Sequence, residues 1–187
     1  MSNEDEYVTP RRGSFVAKAQ LLSADDVSRA LARMAHEVLE RHGENAVVVI
    51  GLQTGGVPFA QALAERLKSF SGRDYPLGVL DVAFYRDDLA RHPLLDTSTT
   101  SLPVDLDGRV VVLVDDVLFT GRTIRAALNA LAEWGRPGAI ELAVMVDRGH
   151  RELPIRPDYV GKNLPTSRRE TIRAALDGVW IGDEVRS

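Results

Sequence analysis

Not one cysteine occurs in the 187 residues, which excludes a disulfide framework and any thiolate-bound metal. That absence suits a reducing compartment, and a cytoplasmic setting is the expectation. No apolar run approaches the roughly 18 to 20 residues that a membrane span needs. The first twenty residues are polar and lack the apolar segment of a secretory leader. Neither Gly-x-x-x-x-Gly-Lys nor Gly-x-Gly-x-x-Gly occurs, so a Walker loop and a dinucleotide fingerprint are both excluded. An excess of positive charge is missing too. The formal net charge of −4 argues against a molecule coated in nucleic acid but leaves room for a local basic patch. Internal repeats and low-complexity tracts are absent.

What is present alternates between apolar strands and amphipathic helices. Residues 1–14, "MSNEDEYVTPRRGS", are unpatterned and predict a disordered tail, with residues 15–187 forming one domain. Ser23 suits the N-cap of a helix in which Val27, Leu31, Met34 and Val38 recur at helical spacing until Gly43. "AVVVIG" (46–51) reads as a strand buried on both faces. The turn "LQTGG" then leads to Pro58 in the first turn of a second helix. Further strands are predicted over Leu77–Tyr85, Val110–Val114 and Ile140–Asp147, with a helix from about Thr123 to Trp134 stopped by Gly135. The last forty residues mix a basic loop with a short apolar piece, "GVWIG". This order predicts an α/β fold with a mostly parallel sheet, whose ligands bind at the carboxyl edge. The turns at Thr54, Arg86 and Asp115 each follow a strand, so their chemistry converges on that edge.

The most informative stretch is "VVVLVDDVLFTGRT", Val110 to Thr123. Successive strand side chains point oppositely, so a continued strand would drive one of Asp115 and Asp116 into the core. An unpaired buried carboxylate is costly, which places both acids at the strand's exit. There they can accept hydrogen bonds from a polyol or help hold a hydrated cation. Gly121 allows a tight turn, and consecutive N–H groups at a helix start form an anion site. Thr120, Arg122 and Thr123 add donors and charge. Taken singly, Asp and Thr are common helix caps; taken together, the block describes a sugar phosphate.

"VVLVDDVLFTGRT" resembles the phosphoribosyl pyrophosphate (PRPP) motif of type I phosphoribosyltransferases. "LDVAFYRDDL", "GRPGAIELAVMVDRGHRELPIRPDYVGKNLPTSR" and "RALARMAHEVLER" extend the similarity to the PyrR family over about Leu21 to Arg168. The resemblance implies a type I phosphoribosyltransferase fold with a small hood. It also implies a pyrimidine-operon attenuation regulator with uracil phosphoribosyltransferase activity, forming UMP and diphosphate from uracil and PRPP with Mg²⁺. By resemblance, Asp115 and Asp116 hold the ribose, and Thr120, Gly121, Arg122 and Thr123 hold the 5′-phosphate, with Val117, Leu118 and Phe119 in the same motif. Thr54, Gly55 and Gly56 take the pyrophosphate. Arg86, opening a long loop through Asp88, closes over the site; the plain alternative for that loop is solvation. Asp147, Arg148 and the backbone at Tyr159 and Val160 form the uracil pocket. No metal site built from protein ligands alone is expected.

Two positions bear on specificity and affinity. Purine transferases commonly carry Asp before Thr-Gly; Phe119 stands there, which favours a pyrimidine. The family usually writes Thr-Arg-Gly where this chain has Thr54-Gly55-Gly56. Losing that guanidinium predicts weaker PRPP binding, restored by Gly55→Arg; other phosphoribosyltransferases use a Gly-Gly pair in this loop, and retained binding is the alternative.

Between Arg148 and Arg173 lie seven Lys or Arg against three Asp or Glu, so this segment reverses the sign of the whole chain. The resemblance places His150, Arg151, Arg156 and Lys162, with Arg33, His36 and Arg41 of the first helix, against pyrimidine leader mRNA. Ala32 stands where some members have Thr, and His36 read alone fits a partly buried structural histidine equally well. UMP or UTP is the implied signal, and a homodimer or higher multiple the implied assembly. A transferase without RNA binding and a regulator with little turnover are the alternatives, with a purine transferase further off.

Overall fold

Three runs of β-branched residues pair in register and make the centre of the molecule. In the computed structural model, which describes residues 14–43, 45, 47–82 and 100–185, these are β2 (Val47–Leu52), β4 (Val110–Leu118) and β5 (Ala139–Asp147). With β3 (Leu77–Leu80) and β6 (Tyr159–Asn163) they form a five-stranded sheet in the order β3-β2-β4-β5-β6, every pair parallel. The period of two sorts the side chains. Val47, Val49, Val112, Val114, Ala143 and Met145 face one core, and Val48, Ile50, Val111, Leu113, Leu142 and Val144 face the other. Because both faces are covered, no strand alternates with polar residues.

Helices α1 (Ala24–His42) and α2 (Gly56–Ser71) cover the first face, and α3 (Arg122–Leu131) covers the second. Helix α1 starts on a complete capping box. The Ser23 hydroxyl accepts from the Asp26 backbone N–H, and Asp26 accepts from the Ser23 N–H. The Ser23 hydroxyl and N–H, with Arg29, hold the Asp26 carboxyl down to about 2. Gly43 closes the helix by donating to Leu39 O. Helix α3 ends at Leu131, three residues short of the expected Trp134; turns carry the chain on to Gly135, whose φ is 147°.

A second sheet was not anticipated in these positions. Strands β1 (Ser14–Ser23), β8 (Gly178–Val185) and β7 (Thr171–Ala175) pair antiparallel in the order β1-β8-β7. Its Ile172 and Val179 join the core that holds α1 and α2, and β7 packs against β4. This is the small hood that the resemblance implied.

The structure also corrects the placement of the two acids. They lie inside β4, not beyond it. Pairing with β2 stops at Gly51–Val114, whereas pairing with β5 runs on to Leu118–Asp147. Asp115 and Asp116 therefore occupy a stretch that is still a strand on one side and already open on the other. Of the predicted tail, residues 1–13 lie outside the described residues, whereas Ser14 already belongs to β1; Arg86 and the loop residues through Asp88 also lie outside them. No helix among the described residues is long and apolar enough to cross a membrane.

Candidate active site

The open flank of β4 forms the floor of a cleft of about 730 Å³. Asp115, Asp116 and Thr123 line it from β4 and α3, Thr54 and Gly55 from the β2–α2 turn, and residues 173–177 from the hood. Asp115 is only 7% exposed, and its Oδ1 accepts from the Asp116 N–H at 2.9 Å. Asp116 Oδ1 in turn accepts from Val117 N at 2.7 Å. Local backbone donors thus hold one carboxylate oxygen of each acid.

Two glycines let helix α2 approach this floor. A Cβ on Gly55 would fall on the Asp116 carboxylate, and one on Gly56 on the Val114 carbonyl. Gly56 is thus a packing requirement of this site, because its neighbours are backbone atoms, whereas at Gly55 only the end of the Asp116 side chain would have to shift for a larger residue.

Beyond β4, Gly121 adopts φ 93° and opens α3. The Arg122 N–H leans on Thr120 Oγ1 at 3.4 Å, and Arg125 N returns to Gly121 O at 3.0 Å. Helix first-turn amides lack intrahelical partners and suit an anion, and of this turn Thr123 lines the cleft. Arg122 Nε meets Glu152 at 2.9 Å, which sets its guanidinium at the rim.

The remaining expected residues divide clearly. Leu118 is core, and its carbonyl accepts from Arg148 N. The Phe119 ring lies 4.2 Å from the Arg148 guanidinium, with the His150 ring edge-on at 5.7 Å. Arg148 is buried and donates to Thr166 Oγ1, Ser167 O and Glu170 O; burial pushes its pKa down, partly offset by Glu170. It binds the 166–170 loop behind the ring. Asp147 accepts from Gly149 N and pairs with Arg151. Val160 is half-buried on β6 beside Val144.

Of the RNA-assigned residues, Arg151 donates to Phe119 O, Gly149 O and Ile155 O, and His150 reaches Thr166 O with φ 63°. Both brace the loop from inside. Arg33 and Arg41 join α1 to the β6 region, Arg33 through Val160 O and Gly161 O and Arg41 through Asp158 and Glu141. His36 is exposed and stacks on Phe70 of α2 at 4.2 Å, which removes the partly buried reading. Arg156 and Lys162 are exposed. The hood residues lining the cleft were missed altogether; Asp177-Gly178, a hairpin dipeptide, was the available signal.

Comparison with known proteins agrees with this geometry. The profile of the phosphoribosyl transferase domain family matches residues 18–177. "Bifunctional protein PyrR" of Streptomyces coelicolor is 57% identical over 158 residues, covering 83% of this chain and 82% of the relative. The protein of that name from Chloroflexus aurantiacus is 54% identical over 171 residues, covering 89% and 92%. Among solved structures, a hypoxanthine-guanine phosphoribosyltransferase of Bacillus anthracis superposes with a TM-score of 0.68 at 19% identity, covering 91% of this chain and 99% of that one. The hypoxanthine phosphoribosyltransferase of Trypanosoma cruzi gives 0.70 at 17%, covering 90% and 98%. Identities this low establish the shared fold alone.

Proposed function

The chain belongs to the phosphoribosyltransferase family and, within it, to the PyrR proteins, and from that premise we propose that the cleft on the open flank of β4 holds PRPP during transfer to uracil. It is a uracil phosphoribosyltransferase that also regulates pyrimidine genes. The observation that carries the site assignment is the meeting of Asp115, Asp116, Gly55 and Thr123 in one cleft.

Displacement at the anomeric carbon builds positive charge on the ribose ring, so fixed negative groups that also grip its hydroxyls favour the transition state. Asp115 and Asp116 are such groups. The amides opening α3, with Thr120 and Thr123, hold the 5′-phosphate, and the turn at Thr54–Gly56 faces the diphosphate. Holding both ends of PRPP fixes the reacting carbon in line with the base. Phe119 offers no proton acceptor where a purine's ring nitrogen would need one, so its apolar ring favours uracil. Tyr159, Val160, Asp147 and Arg148 border that pocket.

Among the described residues no group of three or more His, Asp or Glu is placed to hold a metal alone. Mg²⁺ arriving on substrate phosphates needs only one or two carboxylates, and Asp115 and Asp116 are hard oxygen donors of that kind. When bound, the ion supplies charge neutralisation for the departing diphosphate.

For regulation, the exposed Arg156, Lys162 and His36, with Arg41 at the α1–β6 seam, make the RNA-facing set, responsive to UMP or UTP in the cytoplasm. Arg33, His150 and Arg151 act by shaping the β6 and 148–156 segments. Assembly into a homodimer or larger multiple belongs to the same reading. Labelled uracil with PRPP and Mg²⁺ tests the transferase: UMP formation is expected, and none would overturn it. Retention of pyrimidine leader RNA, strengthened by UMP, tests the regulator. Turnover without retention would leave a transferase alone.

A further inference from the structure

Gly55 poses a problem of charge. The cleft floor is acidic, with Asp115 and Asp116, and Asp177 of the hood adds a third carboxylate. A diphosphate bearing several negative charges must bind beside them, yet the position where the family usually keeps an arginine has no side chain. Among the described residues lining the cleft, Arg173 is the sole cation.

We propose that Arg173, on hood strand β7, binds the diphosphate of PRPP and replaces the guanidinium absent at Gly55. Four observations place it there. Strand β7 is the edge of the hood sheet and packs against β4, which carries the acids. Ile172 turns into the core, so the alternation of the strand directs Arg173 the other way. The paired position on β8 is Trp180, not an acid. No described residue engages the Arg173 guanidinium, whereas Arg33, Arg41, Arg122, Arg148 and Arg151 are each held. A guanidinium offers a planar fork that matches two phosphate oxygens at once. The family's cation would thus enter from the hood wall and not from the β2–α2 turn.

This inference rests on the cleft being the PRPP site, and the test separates the two. The full chain and its Arg173→Ala and Arg173→Lys variants are assayed forward with varied PRPP, and in reverse with varied diphosphate at saturating UMP. Arg173→Ala is expected to raise KM for both PRPP and diphosphate by about tenfold. KM for uracil and Kd for UMP should stay within about twofold, and Arg173→Lys should recover part of the loss. Unchanged KM values for PRPP and diphosphate would overturn the assignment while leaving the PRPP site standing, as would an equal loss of UMP affinity. No turnover by the parent chain would overturn both.

Discussion

At the residue scale, the proposed site gives the chemistry to the acid pair, which should then respond most to loss of charge. Asp116→Asn keeps the shape of the floor but removes a carboxylate proposed to face the ribose. A fall in kcat/KM of about a hundredfold is expected, comparable to losing one preorganised electrostatic partner; steady-state kinetics would show it, and a change under about twofold would contradict the role. A second buried acid serves stability. Glu141, 6% exposed, accepts from the Tyr159 hydroxyl at 2.6 Å and meets His42 at 2.8 Å and Arg41 at 3.0 Å. Burial alone would raise its pKa, but the Tyr159 and His42 hydrogen bonds and the Arg41 charge outweigh it and hold the carboxyl below its ordinary 4.5. Burial, with the Glu141 charge beside it, pushes the Tyr159 hydroxyl well up, so it stays a donor. An acid with a depressed folded pKa contributes stability above its unfolded pKa and loses it as pH falls through the folded value. Tyr159→Phe removes one of the depressing partners. It should cost about 1.5 to 3 kcal/mol at neutral pH and shift acid unfolding to higher pH, measured by urea melts across the acid range. An unchanged acid midpoint would contradict the network.

At the element scale, two short segments decide whether the floor is presented. The Ser23–Asp26 box starts α1, and Ser23→Ala should lower stability by about 1 kcal/mol in denaturant melts. At the β2–α2 turn, Gly55→Ala pushes a methyl onto the Asp116 carboxylate. Misplacing that group should cut kcat/KM by about a hundredfold while the melt barely moves; full activity would mean that the turn yields more freely than its packing suggests. The sequence discloses elements of this kind unevenly. The central strands and α1 are legible because burial on two faces and helical periodicity leave strong local patterns. Strand β1 is not, since residues 16–20 are all exposed and its partner β8 lies at the other end of the chain. The end of β4 is equally hidden. Val114 reads as the last strand residue, but pairing with β5 carries the strand to Leu118, and nothing in the local sequence reports that neighbour. The Gly121 turn that opens α3 could be read from its residues; the place of Arg173 could not, because only the docking of the hood on β4 brings it to the cleft.

At the scale of the whole molecule, an acidic chain is asked to hold RNA, so binding must come from a patch. Arg156→Ala and Lys162→Ala should each weaken leader RNA binding and reduce the slope of log K against log salt by about 1. The inward-facing Arg151 should act through stability, with no separate salt term. Filter binding over a salt series reads both; unchanged slopes in the first two variants would place the RNA elsewhere. All of this presupposes one nucleotide cleft, and titration calorimetry with UMP tests that most directly. The parent chain should bind UMP, and Asp115→Asn/Asp116→Asn should lose at least about tenfold in affinity at an unchanged melting temperature. Equal affinity in the two proteins would contradict the assignment of the ribose to this acid pair.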